Sequence, residues 1–428
     1  MEELIQPVNN RTFDKLCNVE ILRKAFKEVR KNKGAPGVDN VTIEFYESNL
    51  QKNLEQLSQE LTLWTYEPKP VRRVEIPKPN GGIRLLGIPC VKDRIVHAAI
   101  KILIEPKLDS SFSRLSYAFR PGKNQQQAVC RAQEIVKKGK VYVVDIDIHK
   151  FFDRIHHDRL IGRLRTLGIE KEILRLIGQT LRSGIMNNGI SEASTIGAPQ
   201  GSPLSPLLSN VVLDELDKEL EKRGLEFCRF ADDCNIYVRT YKAANRVMES
   251  VEKFIKGKLR LEVNKEKSKV DLARRTKFLG MIITAVTIMI SSISINAAMF
   301  KVKTLIPRRT HLTLEESMER INRWYMGWSG YYRMTQQPRQ LKAIEAHIRR
   351  RFRARLVAQQ KKRSSLAKML IKNGINKRSA LATSYSNKGT WALSHTRAIE
   401  KAFPNKWFIE EIGQRIRSNE KHSHWTTI

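Results

Sequence analysis

The sequence predicts an α+β fold in which antiparallel strand pairs alternate with helices. Three observations predict it. Asn80-Gly81 separates two apolar runs, Asp232-Asp233 separates two more, and the last third of the chain has helical apolar spacing. Asn-Gly between apolar runs indicates a β-hairpin, and apolar residues three and four apart indicate an amphipathic helix. A chain of 428 residues accommodates about two to four subdomains.

Each element has its own local signal. Leu22, Ala25, Phe26 and Val29 recur at helical spacing near the N-terminus. In 141–148 apolar residues alternate with Asp145 and Asp147, which predicts a strand with both carboxylates on one face. The predicted elements are, in order, helices within 1–60, strands over 71–77 and 83–89, a helix over 93–108, a strand over 141–148, a helix over 204–223 and a hairpin around 232–233.

One uncharged segment, 278–300, is long enough to span a membrane. Ser, Thr and Asn interrupt it, however, and β-branched residues dominate. The segment is therefore predicted to form two buried strands joined by a polar turn at Ser291-Ser292.

Composition indicates the class of partner. Lys and Arg number 78 against 44 Asp and Glu, a formal net charge of +34. Such self-repulsion is typical of proteins that bind a polyanion, so nucleic acid is the predicted partner. The five cysteines form no Cys-x-x-Cys pair, which argues against zinc sites and disulfides and for a reducing compartment. Glu2 and Glu3 open the chain without an apolar run, so no secretory signal peptide is expected.

The C-terminal third is helical and strongly basic. Thr313 and Glu316 form a capping box, and 341–380 contains 13 Lys/Arg and one acid, a net charge of +12. A helix face of one sign suits a phosphate backbone. The predicted nucleic-acid-binding residues are Arg349, Arg350, Arg353, Lys361, Lys362 and Arg363.

Three aspartates are the candidate metal ligands. Asp147 lies on one predicted strand, and Asp232 and Asp233 occupy a hairpin tip. Adjacent carboxylates repel each other unless cations bind them. Nucleotidyl transfer uses two divalent ions roughly 4 Å apart, which carboxylates on neighbouring strands can hold. From the alternation alone, Asp145 competes with Asp147.

Together with these aspartates, the motifs along the chain resemble those of bacterial group II intron reverse transcriptases with maturase function. The resemblance rests on six collinear blocks. They are Lys33-Gly34-Ala35-Pro36-Gly37-Val38-Asp39 (N-terminal extension), Ile76-Pro77-Lys78-Pro79-Asn80-Gly81-Gly82-Ile83-Arg84 and Ser116-Tyr117-Ala118-Phe119-Arg120-Pro121-Gly122 (fingers), Asp145-Ile146-Asp147-Ile148-His149-Lys150-Phe151-Phe152-Asp153 (motif A), Gly197-Ala198-Pro199-Gln200-Gly201-Ser202-Pro203-Leu204-Ser205-Pro206 (motif B) and Phe230-Ala231-Asp232-Asp233 (motif C).

The resemblance implies roles for individual residues. Family spacing to Phe152 selects Asp147 as the motif A ligand, with Asp232 and Asp233 completing a site for two Mg²⁺ ions, which Mn²⁺ can replace. Phe152 is expected to exclude a ribose 2′-hydroxyl. Lys267 is expected to protonate pyrophosphate, although Lys265 is two residues away. The expected nucleotide-binding residues are Lys78, Arg84, Phe152, Gln200, Gly201 and Ile148.

The family's architecture is a right hand of fingers, palm and thumb. The implied regions are an N-terminal extension over 1–60, fingers over 61–140, a palm with antiparallel sheet and primer-grip hairpin over 141–300, a helical thumb or maturase domain over 301–375, and a DNA-binding region over 376–428. No His/Cys cluster follows residue 390, so the type without an endonuclease domain is expected.

The implied function is copying RNA into DNA and assisting intron splicing and mobility in the bacterial cytoplasm, with dNTPs, primer–template, intron RNA and target DNA as partners. Two alternatives stay open: a free-standing enzyme of DNA repair or defence, and a splicing cofactor that only binds RNA. Two positions depart from the family. Phe230 replaces the usual Tyr, and His97 stands where Gln is common.

Overall fold

The computed structural model describes residues 11–77, 81–187, 190–192, 196–198 and 201–410. They form two compact units, one ending at Leu272 and one beginning at Ala273. Each unit has its own hydrophobic core.

The first unit combines helices with two sheets. Its elements are α1 Thr12–Cys17, α2 Val19–Asn32, α3 Ile43–Ser48, α4 Leu50–Thr62, β1 Val71–Pro77, β2 Ile83–Ile88, α5 Val91–Ser111, α6 Gln125–Lys137, β3 Tyr142–Ile146, a 3-10 helix Phe151–Arg154, α7 His157–Thr166, α8 Lys171–Arg182, β4 Ile185–Asn187, β5 Ile190–Glu192, α9 Ser205–Lys222, β6 Glu226–Phe230, β7 Asp233–Val238, α10 Tyr241–Phe254, a π-helix Ile255–Leu259 and β8 Lys269–Leu272.

The helix predicted from the apolar spacing of Leu22, Ala25, Phe26 and Val29 is confirmed as α2. Asn18 caps α2 by accepting a hydrogen bond from the Glu20 amide at 2.7 Å, and the helix buries Leu22, Ala25, Phe26 and Val29. These four side chains join one core with residues of α5, α7, α8 and α9. The predicted helices over 93–108 and 204–223 are α5 and α9.

The predicted Asn-Gly hairpin is the antiparallel pair β1–β2, with Pro77 opposite Ile83. Asn80, at its tip, lies outside the described residues. The strand β1 also pairs in parallel with β4, giving a sheet of order β2-β1-β4-β5.

The second sheet carries the candidate metal ligands and is called here the aspartate sheet. Its order is β6-β7-β3-β8, and all its pairs are antiparallel. The central strand β3 buries Val143, Val144 and Ile146, whereas Asp145 is half-buried. Burial on both faces explains why the central strand is nearly continuously apolar.

The second unit is mostly helical. Its elements are β9 Lys277–Phe278, β10 Met281–Ile283, β11 Ile288–Ile290, α11 Ser292–Leu305, α12 Leu314–Tyr332, α13 Pro338–Gln359, α14 Arg363–Lys372, α15 Lys377–Ser384, α16 Thr390–Leu393, α17 Arg397–Ala402 and α18 Trp407–Glu410.

The prediction for 278–300 is partly wrong. Buried strands are present, but the turn between β10 and β11 is formed by 284–287, where the Thr284 hydroxyl accepts the Thr287 amide at 2.9 Å. Ser291 instead caps α11, its hydroxyl accepting the Ser294 amide at 3.1 Å. Serine is favoured both in turns and at helix N-caps, so the Ser-Ser pair alone did not distinguish them. No helix among the described residues is long and apolar enough to cross a membrane.

The capping box is confirmed. The Thr313 hydroxyl accepts the Glu316 amide at 3.1 Å, and the Glu316 carboxylate accepts the Thr313 amide at 2.7 Å. The helix α12 buries Met318, Ile321 and Tyr325 against a stripe of α13. The five-part division of the chain stays a prediction.

Candidate active site

The strand register brings the candidate ligands to one end of the aspartate sheet. Ile146 of β3 pairs with Cys234 of β7, so the next residues along the two antiparallel strands, Asp147 and Asp233, face each other there. Asp232 occupies the turn between β6 and β7, next to Ala231 at φ 59°. The register therefore brings the backbones of all three aspartates to one end of the sheet.

Asp147 is held by its own backbone and faces a cation. Its amide donates to the Ser268 hydroxyl at 2.9 Å, and its carbonyl accepts the Asn264 amide at 2.8 Å. The Lys267 ammonium lies 3.8 Å from the Asp147 carboxylate. The competing Lys265 pairs with Glu252 at 3.6 Å instead. Of these two lysines, Lys267 is the one beside the candidate site.

Asp145 differs from Asp147 in position. It lies inside β3, opposite Asn235 on β7 and Lys269 on β8. Asp147 follows the end of the strand, and its side chain is 37% exposed. A carboxylate beyond the strand end is accessible to a ligand, which favours Asp147 over Asp145.

A buried ion pair supports the turn that carries Asp232. Arg229 and Asp217 are both 0% exposed and form two hydrogen bonds at 2.6 and 2.7 Å. Arg229 also donates to the Ala231 carbonyl at 2.9 Å and to Asn210 at 3.0 Å. Burial alone would lower the pKa of Arg229, but the adjacent Asp217 outweighs it and raises that pKa. Sequence reasoning missed this network, because residues 12 positions apart on different elements give no local pattern.

Motif A continues into the 3-10 helix. The Phe151 ring is buried, and the half-buried Phe152 ring lies edge-on to it at 5.2 Å. The Phe152 carbonyl accepts the Ala198 amide at 2.8 Å, which ties motif A to motif B. Phe152 is thus the more accessible ring of the pair.

Gly201 of motif B lies against strand β2. Its φ is +127°, and a Cβ built on it would be 2.4 Å from the Gly87 carbonyl oxygen. Only glycine fits such a conformation and such a close approach. The next residue, Ser202, is buried and contacts His97.

Four of the expected nucleotide contacts remain: one is buried, and the structure gives little or nothing on the other three. The Ile148 side chain is only 3% exposed and belongs to the core, so the expectation that it contacts nucleotide is wrong for the side chain. Apolar alternation places it on the buried face with Val144. Lys78 and Gln200 lie outside the described residues, and the Arg84 backbone lies in β2 opposite Ile76.

The predicted basic face of α13 is wrong for Arg353. This side chain is buried, with Nε donating to the Phe403 carbonyl at 2.8 Å and Nη2 donating to Asn405 at 3.1 Å. Arg350 is half-buried and stacks on Trp391, with 4.1 Å between its guanidinium and the ring centre. Arg349 lies 4.0 Å from Glu345. Helical periodicity predicted exposure, but the helix is packed on more than one side.

The cations after α13 fit the prediction better. Lys361, Lys362 and Arg363 are all exposed. Exposed cations without a shared acid are suited to phosphate contacts. Their role in nucleic-acid binding stays a prediction.

The donor chemistry of the aspartate end fits a divalent cation. Carboxylate oxygens are the donors that Mg²⁺ prefers. Within the described ranges, however, no three His, Cys, Asp or Glu side chains are grouped closely enough to hold a metal ion. The three aspartates share one end of the sheet, and Lys267 lies next to one of them.

Two protein families match consecutive parts of the chain. Residues 76–283 match the family described as reverse transcriptase (RNA-dependent DNA polymerase). Residues 295–373 match the group II intron, maturase-specific domain. The first match contains motifs A, B and C, and the second contains α12 and α13.

Parts of the chain are also similar to individual proteins. Protein YkfC of Escherichia coli K12 is 32% identical over 291 residues, which are 59% of this chain and 76% of that protein. Group II intron-encoded protein LtrA of Lactococcus lactis is 32% identical over 235 residues, 53% of this chain but only 38% of LtrA. A solved partial Cas6-RT-Cas1–Cas2 complex shares 28% identity with a TM-score of 0.38, covering 58% of this chain and 43% of that one. The chain belongs to the group II intron reverse transcriptases, RNA-directed DNA polymerases of right-hand fold that carry a maturase domain.

Proposed function

We propose that the aspartate end of the sheet is the polymerase active site, where a primer 3′-hydroxyl is joined to a dNTP on an RNA template. The observation that carries this proposal is the convergence of Asp147 with the Asp232-Asp233 turn. Two Mg²⁺ ions, when bound, activate the hydroxyl and stabilise the charge of the triphosphate. Asp147, Asp232 and Asp233 are the residues that would hold them.

The surrounding residues orient the substrates and move a proton. Lys267, 3.8 Å from Asp147, is placed to protonate the pyrophosphate leaving group. The Phe152 ring lies beneath the sugar and excludes a 2′-hydroxyl. The Gly201 backbone approaches the nucleotide and template, which its lack of a side chain permits. Lys78 and Arg84 bind the triphosphate as cations.

The experiment is primer extension on an RNA template by the Asp232→Ala variant. Loss of a metal-binding carboxylate should lower the rate on the order of a thousandfold. Asp271→Ala is the matched control, because Asp271 lies on the same sheet opposite Val143, away from the aspartate end. The control should stay within about threefold of wild type on the same rate scale. Extension by Asp232→Ala within tenfold of wild type would contradict the metal assignment.

We further propose that the second unit assists splicing of an intron RNA and supports its mobility into DNA. The match of 295–373 to the maturase-specific domain and the exposed cations at 361–363 support this proposal. Splicing depends on binding RNA structure, whereas polymerisation depends on the aspartates. We also propose a location in the bacterial cytoplasm, where the intron RNA and the target DNA would both be accessible.

The same Asp232→Ala protein separates the two activities. It should promote splicing of an intron RNA that flanks the reading frame as well as wild type does. Normal binding of that RNA without splicing would contradict the maturase proposal and favour a free-standing enzyme of DNA repair or defence.

A further inference from the structure

Motif B begins at Gly197 and reaches Ser202, and a buried histidine contacts each of these two residues. On α7, His157 is 4% exposed, and its Nε2 lies 2.6 Å from the Gly197 carbonyl oxygen. On α5, His97 is 2% exposed, and its Nδ1 lies 3.0 Å from the Ser202 hydroxyl. Two helices thus reach the two ends of one short segment.

The hydrogen-bond partner of each histidine limits which ring nitrogen can donate a proton. A carbonyl oxygen only accepts, so Nε2 of His157 donates to Gly197. Nε2 of His157 therefore carries a proton. The Ser202 oxygen accepts the Leu204 amide at 3.2 Å and still has a proton to donate and a lone pair to accept with, so its hydrogen bond with Nδ1 of His97 can run in either direction. Burial lowers the pKa of both, that of His97 to about 3, which is consistent with neutral rings at pH 7.

Each ring makes only this one hydrogen bond. Nε2 of His97 and Nδ1 of His157 are buried without a hydrogen-bond partner among the described residues. A buried unpaired polar group lowers stability, and an apolar side chain at either position would avoid that cost. The hydrogen bond to motif B is what a leucine at the same position could not provide.

The segment is also fixed at its backbone. The Gly197 amide donates to the Ile155 carbonyl, and the Ala198 amide donates to the Phe152 carbonyl, both at 2.8 Å. Gly201 packs against the Gly87 carbonyl oxygen, where no side chain would fit. Small displacements of either end would therefore be transmitted to Phe152 and Gly201.

We propose that His97 and His157 are positioning residues, which hold Ser202 and Gly197 of motif B and thereby set the affinity for the incoming nucleotide. The inference rests on the proposed function, because Gly201 and Phe152 act there as nucleotide contacts. It also gives a role to His97, the position at which the chain departs from the family's usual Gln.

The test measures steady-state primer extension at varied dNTP concentration. His97→Leu and His157→Leu should each raise the dNTP KM about fivefold to tenfold, the equivalent of one buried hydrogen bond. The kcat should change less than about twofold, and the KM for primer–template should stay constant. Ser202→Ala should reproduce His97→Leu, and combining the two should add nothing, because they remove one shared bond.

Conservative variants separate positioning from packing. In His97→Gln the amide oxygen can accept from Ser202, and in His157→Gln the amide nitrogen can donate to Gly197, so both should keep the dNTP KM near wild type. Ser113→Ala is the matched control, a buried serine whose hydroxyl contacts Glu221 at 2.6 Å rather than motif B.

Two results would overturn the inference. One is a wild-type dNTP KM in both leucine variants with a thermal midpoint lowered as in Ser113→Ala, which would make the histidines packing residues only. If the leucine variants do not fold, Ser202→Ala with an unchanged dNTP KM has the same consequence. Absence of primer extension by the wild-type protein would instead contradict the proposed function itself.

Discussion

The two units differ in how their buried basic side chains are accommodated. In the first unit burial lowers the pKa of His97 and His157, and each makes a single hydrogen bond to motif B. In the second unit Arg351, Arg353 and Arg355 of α13 are less than 9% exposed and cannot discard their charge. A buried imidazole escapes the cost of burying charge by losing its proton, whereas a buried guanidinium must be surrounded by acceptors.

The acceptors of the α13 arginines are mostly backbone carbonyls. Arg351 donates to the Ile306 carbonyl at 2.6 Å, where α11 ends, and Arg353 donates to the Phe403 carbonyl just after α17. Arg355 donates to Ser317 at 2.5 Å and to the Leu312 carbonyl. Carbonyls at a helix C-terminus lack partners within the helix and form the negative end of its dipole. These arginines stabilise the second unit and are not available to phosphates.

The largest expected effect that tests this comparison is on Arg353. Arg353→Met keeps most of the side-chain volume but leaves the Phe403 carbonyl without its donor, so we expect a loss of about 3 kcal/mol in the free energy of unfolding. Urea denaturation of the full chain measures it. Lys342→Met, an exposed change on the same helix, is the control and should cost less than about 0.5 kcal/mol. Equal losses in the two variants would mean that Arg353 behaves as a surface residue.

Local signals predicted local structure well. The Asn-Gly hairpin, the Thr313 capping box and the strand–turn–strand around Asp232 each depend on residues that are close together in the sequence. Alternation placed Asp145 and Asp147 on one face of a strand, and the family's motif spacing selected Asp147, which follows the end of β3. Because neighbouring residues determine these features, the sequence alone predicted them.

What the sequence did not reveal depends on distant partners. His97 and Ser202 are 105 positions apart, and Arg353 and Phe403 are 50 apart, so neither contact leaves a local pattern. Arg353 also follows the buried Phe352 in a helix that is covered on more than one side. A prediction that divides a helix into one apolar and one polar face wrongly places Arg353 in solvent. Ser291 was predicted to lie in a turn but caps α11, because serine is common both in turns and at helix N-caps.

The next effect concerns the buried imidazole. Burial, with a contribution from Arg94, lowers the folded-state pKa of His97 to about 3, below the ordinary value of 6.5. Below pH 6.5 the unfolded chain therefore binds a proton that the folded chain does not, and stability falls as pH falls. The loss should be about 2 kcal/mol between pH 7.5 and pH 5.

A neighbouring carboxyl on α5 acts in the opposite direction. Burial raises the pKa of Asp93 to about 6, so the folded chain binds that proton first as pH falls and gains stability. The measurement is therefore the difference in unfolding free energy between wild type and His97→Gln at the two pH values, in which the Asp93 contribution cancels. Wild type should lose about 2 kcal/mol more than the variant. A pH-independent difference would mean that His97 is charged or hydrated in the folded protein.

The smallest effect on stability is expected where basic side chains remain exposed. Lys361, Lys362 and Arg363 have their charges in water, so changing all three to Gln should alter the free energy of unfolding by less than about 0.5 kcal/mol. If all three contact phosphates, however, the slope of log affinity against log salt should decrease by roughly two to three units. Binding of the intron RNA at several salt concentrations measures the slope. The matched control changes the exposed Lys24, Lys27 and Lys31 of α2 to Gln, an equal loss of charge in the other unit. Equal decreases in both variants would mean that net charge, rather than phosphate contacts at 361–363, determines the salt dependence.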